Sequence, residues 1–110
     1  MTNEQIVMNT RVMLMRNGQI GTTGRKIEYV DKDGVVSEIN EPAEIHTYVG
    51  WKRLGYQVPE GTKAKVFIPI WVYNTDEEGN TIMMNVNRPF FLPSQVQKIE
   101  EENLSEAKMA

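Results

Sequence analysis

Residues 46–73 read HTYVGWKRLGYQVPEGTKAKVFIPIWVY, and the part from Lys63 onward decides the fold. Ala64, Val66, Ile68, Ile70 and Val72 alternate with Lys65, Phe67, Pro69, Trp71 and Tyr73. A period of two sustained over that length predicts a strand whose two sides differ in chemistry. One side is aliphatic and fits a core; the other combines aromatic rings with a cation. Pro69 cannot donate to a ladder, so this strand is expected at a sheet edge or at a bulge.

Working outward, Thr47 can cap a short helix that runs to Leu54 and closes at Gly55, and Pro59-Glu60-Gly61 makes a turn. Trp51 and Tyr48, three residues apart, would form the buried side of that helix, with Lys52 and Arg53 in its last turn. Downstream, Asp76-Glu77-Glu78-Gly79-Asn80 is a turn, and TIMMNVNRPFFL (81–92) returns as the partner strand. Pro93-Ser94 then predicts a C-terminal helix. Ser94 would be its cap, Gln97 would complete a capping box, and Val96, Ile99 and Leu104 would form its inner side.

Toward the amino terminus, NEQIVMNTRVMLMR (3–16) repeats apolar residues at helical spacing, with Thr2 or Asn3 as cap and Asn17-Gly18 as stop. GQIGTTG (18–24) is glycine-rich and aperiodic, which predicts a loop. RKIEYV and VVSEIN flank Asp31-Lys32-Asp33-Gly34, a hairpin signature. The expected fold class is therefore α+β: a small antiparallel sheet built from two hairpins, with an N-terminal helix, a short central helix and a C-terminal helix. Residues 1–99 form a single domain in this reading, and 100–110 form a frayed acidic tail.

With 110 residues, the chain is long enough for one core and too short for two. Its 40% apolar and 25% charged content is globular and rules out wholesale disorder. The absence of cysteine removes disulfides, thiolate metal sites and cysteine nucleophiles, and the single histidine, His46, removes imidazole clusters. No apolar run approaches the roughly 20 residues of a membrane span, and the first residues lack the layout of a secretory signal. A soluble cytoplasmic protein with no membrane association is expected.

Net charge is −3, which on its face disfavours a polyanionic partner. The charge is segregated, however. Segments 1–26 and 46–74 each carry +3 and segment 81–99 carries +2, whereas 27–45 carries −5 and the turn at 75–80 carries −3. Positions 1–99 are thus neutral, and the whole excess belongs to the tail, where Glu100, Glu101, Glu102 and Glu106 face Lys108 alone.

Known chemical signatures fail on inspection. GQIGTTG beside Arg25 and Lys26 is not a phosphate-binding Walker loop, because no Gly-Lys-Ser/Thr leads into a helix. Reading Gly34 as the sixth residue of a calcium loop puts Tyr29 and Asn40 where carboxylates are required. The carboxylates gather in turns and in the tail, where water keeps them ordinary, so no enzyme activity, catalytic residue, metal or cofactor is expected. His46 precedes the Thr47 cap and is expected to complete a turn or pack at the helix entrance.

Single-strand nucleic-acid binders combine cations that follow the phosphates with aromatic faces on which bases stack. Lys52, Arg53, Lys63, Lys65, Trp71 and Tyr73 provide both within one short span, and Arg25 and Lys26 add a second basic pair. The aromatic side of the strand is either covered by a helix or open as a platform. The alternation allows both.

TYVGWKRLGYQVPEGTKAKVF together with NRPFFLPSQVQKI resembles the amino-terminal domain of ArdC-type antirestriction proteins of plasmids and phages and their small phage-borne relatives. The matching positions are Thr47, Tyr48, Trp51, Gly55, Val58, Gly61, Lys63, Phe91 and Gln95, within residues 46–99. The family's turn typically reads Lys-Gly-Glu-Lys, where this chain has Glu60-Gly61-Thr62-Lys63, and the family's metalloprotease domain has no counterpart in these residues. The resemblance implies a small α+β domain of a phage or other mobile element that binds single-stranded DNA with low sequence specificity in a protective, antirestriction role. The alternative is a protein-binding module that inhibits a host defence nuclease or serves phage assembly. In either case the chain is a monomer or an edge-strand dimer.

Overall fold

The computed structural model describes residues 2–99, so the acidic tail and the predicted inner position Leu104 lie outside the described residues. Helix α1 spans Asn3–Arg16 and begins with a capping box: the Thr2 hydroxyl accepts from the Gln5 N–H, and the Gln5 side chain accepts from the Thr2 N–H. It is followed by β1 (Thr22–Val30), β2 (Val36–Pro42), α2 (Tyr48–Arg53), β3 (Tyr56–Gln57), β4 (Val66–Thr75), β5 (Thr81–Phe90), a 3-10 turn (Pro93–Gln95) and β6 (Gln97–Lys98). The chain is α+β.

The strands form three separate antiparallel pairs, β1–β2, β3–β6 and β4–β5, where a single sheet was expected. Two of them are long hairpins closed by the same turn chemistry. Asp31 Oδ1 accepts from the N–H groups of Asp33 and Val35, and Asp76 Oδ1 accepts from those of Glu78 and Asn80. Gly34 and Gly79 follow at φ of 81° and 85°, a conformation that costs a residue with a Cβ.

The predicted C-terminal helix is not formed in the described residues. Pro93 to Gln95 make one 3-10 turn in which the Gln95 side chain, not Ser94, accepts from the Leu92 N–H. The chain then turns back as β6, pairing Lys98 with Tyr56 and Gln97 with Gln57, and the Ile99 N–H bonds the Gly55 carbonyl. These partners satisfy backbone groups that a helix would have satisfied locally, and such tertiary pairing overrides a weak helical preference. The glycine-rich loop is also shorter than its composition implies. Thr22 already pairs with Pro42, the register shifts between Thr22 and Lys26, and Ile20 is buried in the core.

Leu14, Ile20, Ile45, Ile68, Phe90 and Leu92 make up the buried cluster, flanked by Ile6, Val7, Met15, Val66 and Ile70. Burying Ile68, 1% exposed, stabilises the fold by about 1.5–3 kcal/mol. Arg11 locks α1 onto the end of β2 by donating to the carbonyls of Pro42 (2.6 Å) and Ala43 (3.0 Å). Because the core occupies only the base of the hairpins, the molecule is broad and flat. It measures 56 × 48 × 22 Å, with a radius of gyration of 17.3 Å, well above the roughly 13 Å of a compact chain of this length.

Candidate nucleic-acid interface

Hairpin β4–β5 runs in uninterrupted register from Val66 opposite Phe90 to Thr75 opposite Thr81. Pro69 therefore sits on an edge strand without a bulge. Alternation sends Val66, Ile68, Ile70 and Val72 toward the body and leaves the other side in water: Phe67 is 61% exposed, Trp71 44% and Tyr73 75%. Across the hairpin the same side carries Met83, Asn85, Asn87 and Pro89, all exposed. The aromatic side is open.

That openness is held by α1. The Asn3 amide donates to the Trp71 carbonyl and accepts from the Trp71 N–H, both at 2.8 Å, so it pins the strand by its edge and leaves the ring side uncovered. Between Thr62 and Thr75, and again from Asn80 to Ile99, the sequence has no carboxylate, whereas Lys63, Lys65 and Arg88 lie within those spans. The hairpin's acidic groups are confined to its tip, at Asp76, Glu77 and Glu78.

The predicted cations separate into two groups. Lys63 and Lys65 are exposed just before β4, and Lys65 continues the alternation of Phe67, Trp71 and Tyr73. The Gln95 amide donates to the Lys63 carbonyl at 2.8 Å and holds this approach against the 3-10 turn. Lys52 and Arg53 are exposed in the last turn of α2, which is tied to the same end of the hairpin by Trp51: its indole N–H donates to the Phe91 carbonyl at 2.9 Å. None of these four enters an ion pair among the described residues.

Arg25 and Lys26 differ. Arg25 contacts Glu41 at 2.8 Å and Lys26 contacts Glu38 at 3.6 Å, both across hairpin β1–β2. The Thr23 hydroxyl at 2.7 Å and the Arg25 guanidinium hold the Glu41 carboxyl below its ordinary pKa. These two cations already have anionic partners and lie on the other hairpin, away from the aromatic side.

Trp51 is buried, with its ring edge-on to His46 (4.9 Å) and Tyr56 (5.2 Å). Tyr48, expected beside it, is exposed, because the short helix turns only its Trp51 side inward. His46 is an anchor at the helix entrance, where its carbonyl accepts from the Phe91 N–H at 2.8 Å. The sequence reading placed Phe67 on this side through the alternation but did not name it among the stacking residues, and Met83 required the hairpin register.

A groove between α1 and β1 of about 480 Å³ is lined by Met8, Asn9, Tyr29 and Val30, with Glu28, Asp31 and Lys32 among its walls. Two carboxylates against one lysine make it a poor receptor for a polyanion. No helix among the described residues is long and apolar enough to cross a membrane. Comparison with known protein families, with curated proteins and with solved structures finds no match to this chain.

Proposed function

We propose that the chain is a single-stranded DNA-binding module of the ArdC amino-terminal type that protects an invading mobile element. The observation that carries the reading is the open side of β4, where Trp71 and Tyr73 stand two residues apart, about 7 Å along the strand, with Lys65 leading into the same side. Bases stack on Trp71 and Tyr73, and Lys52, Arg53, Lys63 and Lys65 contact phosphates. Stacking tolerates any base, so sequence preference is low. Arg25 and Lys26, already paired with carboxylates, make a minor contribution.

Fluorescence anisotropy with a labelled oligonucleotide tests this. Four phosphate contacts give a log–log salt slope of roughly −3, at about 0.7 per phosphate on a single strand. A Lys63→Ala/Lys65→Ala double variant should bind more weakly and with a shallower slope. Absence of binding at low salt, or binding indifferent to that double change, refutes the reading.

One observation favours the second reading, a protein-binding module directed at a host nuclease or an assembly partner. Val30, Val35 and Val36 are exposed at the tip of hairpin β1–β2 beside Asp31 and Asp33, an apolar and acidic surface suited to a protein with a basic site. Capture of a specific host protein that survives nuclease treatment, and is lost on Val35→Lys, would replace the first reading with this one.

A further inference from the structure

The molecule has four long strand edges, and three of them carry protection against pairing with another chain. Hairpin β1–β2 has Arg25, Lys26 and Glu28 on one strand, Glu38 and Glu41 on the other, and a register shift near its base. Charges and irregular register are the usual defences of an edge. The outer edge of β4 is closed by other means: Pro69 has no N–H, Asn3 occupies both backbone groups of Trp71, and the Thr75 N–H is taken by the Asn74 side chain.

The edge of β5 has no such device. Because Asn3 takes both backbone groups of Trp71, the pair Trp71–Asn85 is a non-hydrogen-bonded pair of the ladder, and the N–H and carbonyl of Asn85 point away from β4. By alternation the same holds for Thr81, Met83 and Asn87. Among the described residues nothing bonds these outward groups, and all four side chains are exposed. Between Thr81 and Asn87 no charged residue or proline interrupts the edge.

We infer that β5 pairs antiparallel with β5 of a second copy of this chain, about a two-fold axis at Met84. That register sets Met83 opposite Asn85 and Thr81 opposite Asn87, twice each, for about eight backbone hydrogen bonds. It leaves Pro89 just beyond the ladder. On the body side Met84 meets Met84 and Ile82 meets Val86, which covers Ile82 and Met84, both exposed in the single chain. Arg88, without an ion pair among the described residues, falls opposite Asn80 of the second copy, beside the turn that holds Asp76, Glu77 and Glu78. The two Arg88 side chains are kept apart.

Charge complementarity and the edge inventory thus name the same occupant. The resulting four-stranded sheet has β4 at both borders, so every edge left in water is a protected one. A two-fold axis perpendicular to the sheet puts Phe67, Trp71 and Tyr73 of both copies on one side and doubles the open aromatic surface. The pairing does not depend on what that surface binds.

The chain has no cysteine, so single cysteines report this register without background. Opposed residues of a non-hydrogen-bonded pair lie about 4.5 Å apart at Cα, within the roughly 4.4–6.8 Å span of a disulfide. Met84→Cys should therefore cross-link to dimer under mild oxidation, while Thr81→Cys, about 20 Å from its own copy, should not. Sedimentation equilibrium of the unaltered chain should show a reversible dimer. Asn85→Pro, which removes outward donors and no donor of the β4–β5 ladder, should weaken it by about tenfold or more with an unchanged circular dichroism spectrum. Should that spectrum change, Met83→Lys/Asn85→Lys opposes like charges across the same edge and should also abolish the dimer, with partial recovery in salt. A monomer up to submillimolar concentration overturns the inference, as does cross-linking equal at positions 84 and 81. None of these measurements contains DNA, so the outcome is independent of the nucleic-acid reading.

Discussion

Hairpins β1–β2 and β4–β5 close through one turn design, an aspartate that accepts from two backbone N–H groups followed by a glycine at positive φ, and both project from a core that holds only their bases. Their strands then diverge. In β1–β2 the cations face carboxylates within the hairpin, as Arg25 with Glu41 and Lys26 with Glu38. In β4–β5 the strands carry no carboxylate, and the side away from the body is filled by Phe67, Trp71 and Tyr73. The lesson is that the turn sets only how a hairpin closes. Which residues alternate along it decides whether its charge is used internally or left for a ligand.

The sharpest way to separate the two arms is through their anchoring. Ile68→Ala, at the buried base of β4, should destabilise the domain by about 2–5 kcal/mol, a large share of a marginal total. It should be read as a lowered midpoint in urea. Ile39→Ala in β2, only partly buried, should cost less; equal losses would mean that both arms share the core equally.

A second comparison sets ligand binding on one arm against the other. Trp71→Ala/Tyr73→Ala should lose about 1–3 kcal/mol of single-strand affinity per base no longer stacked, while urea unfolding stays close to that of the parent chain. Arg25→Ala/Lys26→Ala should change affinity far less, because those cations are already paired. Comparable losses in the two double variants would break the contrast.

The shared turn gives a smaller and symmetric expectation. Asp31→Ala and Asp76→Ala each remove two hydrogen bonds accepted by one carboxylate oxygen and should each cost about 1 kcal/mol, with equal effects on unfolding. The smallest effect is confined to hairpin β1–β2 and concerns pH. Glu41 has a lowered pKa in the fold, first through Thr23 and then through Arg25. Its contribution is fully present above the ordinary value of 4.5 and is lost as pH falls through the lowered folded value. A carboxyl titration followed by NMR should show Glu41 protonating below that ordinary value, and Thr23→Val should move it upward.

Much of this was legible from residues alone. The alternation from Lys63 to Tyr73 named both sides of β4, Thr47 and the choice of Thr2 or Asn3 announced the two helices, of which Thr2 caps the first, and the Asp-x-x-Gly turns marked both hairpins. The aromatic candidates Trp71 and Tyr73 lie where their spacing put them. What sequence could not reveal was set by long-range partners. The β3–β6 pair exists because the chain after Pro93 meets Tyr56, and nothing local distinguishes Val96 to Ile99 from the start of a helix. The pairing of Arg25 and Lys26 with Glu41 and Glu38 needed the hairpin register, and without it these cations looked as free as Lys63 and Lys65. Tyr48 and Trp51 shared a helical spacing, yet a helix as short as Tyr48–Arg53 presents only one of them to the core.

The central claim is that bases stack on the open side of hairpin β4–β5, and the two tryptophans of the chain allow a direct measurement. Trp51 is 5% exposed and bonded to the Phe91 carbonyl, so it serves as an internal reference, whereas Trp71 is open to water. Titrating an unlabelled oligothymidine into the protein at low salt should quench tryptophan emission. In Trp71→Phe the remaining Trp51 signal should stay constant through the same titration. Emission that does not respond to the oligonucleotide, or quenching that persists undiminished in Trp71→Phe, would contradict the account.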